Sequence, residues 1–113
     1  HLSNSLNKSV QVIIAIYDKE FALKILKRLV REDKFVLVHR RAKHARTVSN
    51  EAAKIIVAQL TIDNFVKVSE DRAFPGEYLW IYETDMGITY YIKCKFSSDL
   101  NMVKFISFHQ ALY

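Results

Sequence analysis

Ile88-Thr89-Tyr90-Tyr91-Ile92-Lys93-Cys94-Lys95-Phe96 decides the fold. Ile88, Tyr90, Ile92, Cys94 and Phe96 fall on one side of an extended chain, and Thr89, Tyr91, Lys93 and Lys95 on the other. That period of two, in a segment rich in aromatic and β-branched residues, predicts a strand with one face buried. Residues 78–84 before it and 102–109 after it read as strands too. Asp85-Met86-Gly87 links the first pair, and Ser97-Ser98-Asp99-Leu100-Asn101 the second. Connections this short join antiparallel neighbours, so the three form a meander. In the last strand Ile106 and Phe108 read as core residues, which leaves Ser107 and His109 on the polar face. Placing Lys93 opposite Ser107 puts Tyr91 opposite His109. A slip of one residue would bury Ser107 and His109, so the sequence specifies this register. One face then groups a phenol, an ammonium, a hydroxyl and an imidazole.

Upstream the period changes. Asp18 is placed to cap a helix running to about residue 33, with Phe21, Ala22, Ile25, Leu26, Leu29 and Val30 as its apolar stripe. Lys24, Lys27, Arg28 and Arg31 fall on the other side. Residues 10–17 fit either an added strand or further helical turns. Residues 35–41 read as a strand that ends in a basic loop, Arg40-Arg41-Ala42-Lys43-His44-Ala45-Arg46. Thr47 or Ser49 then caps a second helix, roughly residues 51–60, with Glu51 in its first turn. Thr61 caps one more turn over residues 62–65. Helices first and sheet later predict an α+β fold: two to three N-terminal helices packed on a twisted, mainly antiparallel sheet.

Composition narrows the functional classes. Half of the 113 residues are apolar, enough to bury a core, and two glycines and one proline leave little room for linkers. Residues 1–9 read as a tag remnant or frayed end, and 10–113 as one domain. The single Cys94 cannot form an internal disulfide, which favours a reducing compartment and excludes a cysteine-based zinc site. No apolar run is long enough to span a membrane. His39 and His44 have no fixed ligand geometry, carboxylates do not cluster, and there is no glycine-rich phosphate loop, so neither metal nor cofactor is expected. The segment from Lys19 to Arg46 holds ten of the 17 basic residues and three of the 12 acidic ones. A one-sided basic patch attracts a polyanion, and its bland counterpart is a solvated helix face beside a basic loop.

Four blocks, in order, carry a family resemblance. They are Leu60-Thr61-Ile62-Asp63-Asn64-Phe65-Val66-Lys67, Pro75-Gly76-Glu77-Tyr78-Leu79-Trp80, Tyr90-Tyr91-Ile92-Lys93 and Ile106-Ser107-Phe108-His109. Over roughly residues 20–111 the chain resembles the MqsR family of type II toxin–antitoxin systems, related in fold to RelE. The strand ending in Arg40-Arg41 fits as well. The resemblance implies a bacterial, cytoplasmic, metal-independent endoribonuclease, an mRNA interferase held inactive by an antitoxin. It further implies a functional lysine, glutamine and tyrosine. Lys67 matches the first and Tyr91 the last. The glutamine position, after Trp80, holds Ile81.

RNA is cleaved when a 2′-hydroxyl attacks the adjacent phosphate. The enzyme must remove that proton, offset charge on the phosphorane and protonate the leaving 5′-oxygen. Histidine titrates in the right range for the proton steps, and fixed cations suit the phosphate. The candidate catalytic set is therefore Lys67, Tyr91, Lys93 and His109, with His109 as general acid or base. Arg40, Arg41, Lys43 and Arg46 are candidates for holding single-stranded RNA, and Trp80, Tyr82 or Phe74 for stacking a base. Each has a plainer reading: a surface histidine, a cross-strand tyrosine, solvated lysines, a core tryptophan. The alternative function is a non-catalytic RNA-binding or protein-interaction module on the same fold.

Overall fold

The structure is a computed structural model that describes residues 18–38 and 45–111. Helix α1 (Lys19–Arg31) starts at Asp18, whose side chain accepts a 2.7 Å hydrogen bond from the Phe21 amide. It ends in a Schellman turn: Asp33 adopts a left-handed φ of 62°, the Lys34 amide reaches the Leu29 carbonyl, and the Asp33 amide reaches Val30. Ala22, Leu23, Leu26, Leu29 and Val30 form its buried stripe. Leu23 belongs to the stripe and Phe21 does not. Phe21 sits in the first turn and remains exposed.

Strand β1 (Phe35–Leu37) follows, then β2 (Ala45–Thr47) and helix α2 (Asn50–Gln59). Ser49, rather than Thr47, caps α2 by accepting from the Ala52 amide. Thr47 is taken up by β2. A 3-10 turn (Ile62–Asn64) begins at Thr61, whose amide donates to the Asn64 side chain at 2.8 Å. The chain then enters β3 (Phe65–Glu70), β4 (Tyr78–Asp85), β5 (Thr89–Phe96) and β6 (Val103–Ala111).

The expected meander is β4-β5-β6, and the sheet extends it on both sides in the order β1-β6-β5-β4-β3. Strand β1 runs parallel to the first part of β6, and β2 runs antiparallel to its last part. The fold is α+β, two helices on one face of a mixed, mainly antiparallel sheet, consistent with the RelE-like expectation. Leu26, Leu29, Ile56, Val57 and Leu60 from the helical segment pack on Trp80, Tyr82, Ile92, Cys94, Phe105 and Phe108 of the sheet. Full burial of one such side chain contributes about 1.5–3 kcal/mol.

Two bulges interrupt the ladder, one at Val66 in β3 and one at Ile106 in β6. The second corrects the expectation for Ile106. Phe105 pairs with Cys94 inside the core, Ile106 is the extra residue, and Ser107 then pairs with Lys93 on the opposite face. Lys27 and Arg28 are also not plain solvated cations. Lys27 donates to the Leu60 carbonyl at 2.8 Å and Arg28 to the Leu100 carbonyl at 3.4 Å, which ties α1 to the end of α2 and to the β5–β6 connection.

Candidate active site on the open sheet face

Among the described residues no helix covers the other face of the sheet. The bulges aim side chains onto it. Phe65 faces the core, and the extra residue Val66 turns Lys67 outward; Ile106 does the same for Ser107. As a result Lys67, Ile81, Lys93 and Ser107 stand in one cross-strand row over β3, β4, β5 and β6. The next row holds Glu83, Tyr91, His109 and Thr47. Bulges recur beside active sites because they redirect a side chain without ending the strand.

Ile81, Tyr91, Ile92, Lys93, Ser107 and His109 line a depression of about 300 Å³. Ser107 Oγ lies 2.8 Å from His109 Nδ1, and the Tyr91 and His109 rings are 5.7 Å apart, centre to centre. The expected pairing of Lys93 with Ser107 and of Tyr91 with His109 is the one observed. Three of the four candidate catalytic residues thus meet. Lys67 shares their row but stands two strands from Lys93, about 10 Å away and outside the depression.

The nucleic-acid candidates fare differently. Trp80 and Tyr82 are 4% and 0% exposed, locked in the core beside Phe65. No base can stack on them there. Burial pushes the Tyr82 hydroxyl pKa upward, as it does the Cys94 thiol, so both remain neutral. Arg40, Arg41 and Lys43 lie outside the described residues, as do His39, His44 and residues 10–17. Arg46 pairs through β2 with Gln110 of β6. Phe74 is exposed.

Lys95, on the same face, is engaged elsewhere. Its ammonium lies 2.7 Å from Asp71 and 3.2 Å from Glu77, with the Phe74 ring centre 4.5 Å away. Burial opposes its charge, but the hydrogen bonds it donates to these two carboxylates outweigh burial and raise its pKa. The same bond holds the Asp71 carboxyl below its ordinary value, against burial.

Sequence reasoning passed over Glu83, which the pairing of β4 with β5 sets beside Tyr91. Its signal was the alternation of β4 itself. Among the described residues no three His, Cys, Asp or Glu side chains are grouped as a metal site would require, and no helix is long and apolar enough to cross a membrane.

No curated protein and no solved structure matches the chain significantly. One family model does, over residues 18–110, and its description reads motility quorum-sensing regulator, toxin of MqsA. The match spans both helices, strands β1 to β5, all of β6 but Ala111, and every residue of the depression. The chain belongs to the MqsR toxin family, and is therefore a toxin of a toxin–antitoxin system whose partner is an antitoxin of the MqsA kind.

Proposed function

We propose that the open face cleaves single-stranded mRNA in the bacterial cytoplasm by 2′-hydroxyl attack, with general acid–base catalysis and without a metal. The hydrogen bond between Ser107 and His109, made beside Tyr91 and Lys93 in one depression, carries this reading. With Nδ1–H donated to Ser107 Oγ, the His109 Nε2 lone pair is left to take the 2′-hydroxyl proton. The 2′-oxygen bonds to phosphorus, and the bond from phosphorus to the 5′-oxygen breaks. That oxygen takes its proton from the Tyr91 phenol; solvent then reprotonates the phenolate and takes the proton from His109, which restores both groups. Lys93 offsets charge on the phosphorane, and Lys67 holds the flanking backbone. The products are a 2′,3′-cyclic phosphate and a 5′-hydroxyl, so no redox partner or cofactor is required.

The test is incubation of purified protein with single-stranded RNA in EDTA. Cyclic-phosphate ends are expected, whereas cleavage that depends on an added divalent ion, or none at all, overturns the mechanism. Ile81, standing where the family glutamine is expected, favours one other reading, a non-catalytic RNA-binding or interaction module. That reading expects salt-sensitive RNA binding without turnover.

A further inference from the structure

A second depression lies on the same face, at the end of the β5–β6 hairpin. Val36, Glu77, Lys95, Phe96, Met102 and Lys104 are among its lining residues, and its volume is about 310 Å³, ample for one nucleobase. Val36 and Met102 are 49% and 40% exposed, so its floor is apolar surface open to solvent. Lys93 lines the first depression and Lys95 the second, two residues apart on β5 or about 7 Å. That step is comparable to the one between successive phosphates of an extended single strand.

Phe74 is not part of the lining but packs on Lys95, which is, with its ring centre 4.5 Å from the ammonium. It is 54% exposed, an apolar ring that contributes little to the core. Its backbone is nonetheless fixed. The Phe74 amide donates to the Asp71 carbonyl, and the Glu77 amide donates to the Phe74 carbonyl, so Phe74 is the joint between two consecutive turns. The second contains Pro75 and Gly76, whose φ of 89° suits the third position of a type II turn. The Asp71 side chain accepts from the Ala73 amide, and Lys95 ties Asp71 and Glu77 together. An exposed aromatic ring on a rigid loop loses little entropy when a flat partner stacks on it.

We propose that Phe74 and this depression form a nucleobase subsite, occupied by the nucleotide next to the one being cut. The inference rests on the endoribonuclease reading above and extends it to substrate recognition. An RNA strand is the occupant because Lys93 and Lys104 put positive charge where the strand would run, and because Lys95 of this depression stands two residues along β5 from Lys93 of the candidate active site. Lys95 is already neutralised by Asp71 and Glu77, so its part is to hold the platform, and Lys104 takes the phosphate.

The test uses binding rather than cleavage, which keeps the two readings separable. Fluorescence anisotropy is measured with a 2′-O-methyl adenylate oligomer, which cannot be cut, and with an abasic oligomer of equal length. Phe74→Ala is expected to weaken the base-bearing oligomer roughly five- to 100-fold, the range of one lost stacking contact, and to leave the abasic one within twofold. Phe74→Trp is expected to keep the affinity and to change its fluorescence on binding, against a constant background from buried Trp80. Unchanged affinity of Phe74→Ala for the base-bearing oligomer overturns the subsite, even if the wild type cleaves RNA. Loss of antitoxin binding with RNA affinity retained overturns it too, and makes the loop a protein-docking element. If the wild type never cleaves, the mechanism falls, while the stacking result still decides the subsite.

Discussion

Ser107 and His109 lie on the same face of β6, two residues apart, with Ser107 Oγ 2.8 Å from His109 Nδ1. The bond holds one ring nitrogen, so the other is the one presented to a substrate. His109→Ala is expected to lower kcat by roughly 100-fold or more, and Tyr91→Phe at least roughly tenfold. Ser107→Ala is expected to lower kcat by roughly three- to tenfold with KM unchanged, and Ser107→Thr to restore it, because the hydroxyl positions the ring without touching RNA. Steady-state cleavage kinetics read all four, and wild-type rates for both His109→Ala and Tyr91→Phe would remove these residues from the site.

The lysines of the open face are not equivalent. Lys93 sits in the depression and Lys67 in the same row, whereas Lys95 is bound by two carboxylates. Lys67→Ala and Lys93→Ala are each expected to reduce the slope of log affinity against log salt by about one. Lys95→Ala is expected to leave that slope unchanged. RNA binding measured over a salt series distinguishes them.

Ile81 lies between Lys67 and Lys93 in the cross-strand row and lines the depression. A catalytic set built on His109 has no need of a glutamine there. Ile81→Gln is therefore expected to cleave RNA within about threefold of wild type. A gain beyond about tenfold would mean that the isoleucine has switched off a glutamine-dependent mechanism.

Stability should fall at both extremes of pH, through one ion pair. The Lys95 hydrogen bond holds the Asp71 pKa below the ordinary 3.8, so its contribution is present above that value and lost as pH falls through the lower, folded one. The Lys95 pKa is raised above 10.5, so its contribution is present below that value and lost as pH rises through the higher, folded one. Urea unfolding midpoints of wild type and Asp71→Asn, compared between about pH 2 and 5, are expected to converge toward the acid end. Parallel curves would mean that Asp71 is unpaired in solution.

Much of this molecule was legible because strict alternation is informative. In β5 the alternation of Tyr90, Ile92 and Cys94 with Tyr91 and Lys93 set both faces, and hydroxyl and imidazole followed through the register. What stayed hidden has a common cause. Strand β3 carries its bulge at Val66, so Phe65 and Lys67 do not read as a simple alternation, and the segment gave no strand signal. Strand β2 spans only Ala45–Thr47 and owes its form to β6 rather than to its own residues. Composition could suggest Trp80 and Tyr82 as stacking groups, but only the packing of Phe65 against both shows that they belong to the interior. Phe74 carried no periodic signal at all. Its exposure depends on two turns and on a lysine twenty-one positions away in the chain.

The extra residue at Ile106 divides β6 into two stretches with separate obligations. Before it, Val103 and Phe105 answer to the interior and to the parallel neighbour β1. After it, Ser107 and His109 answer to whatever lies on the open face, while Phe108 is the one fully buried side chain of the stretch, which β2 and β5 flank. Were the strand to run through Ile106 regularly, keeping the residue without the bulge, the second stretch would be turned over, hiding the imidazole and displaying a phenylalanine. The bulge, more than the identity of Ile106, reconciles the two stretches: deleting the residue would leave Phe105 opposite Cys94 and Ser107 opposite Lys93, so the toxin could tolerate its loss but not its absorption into a regular strand.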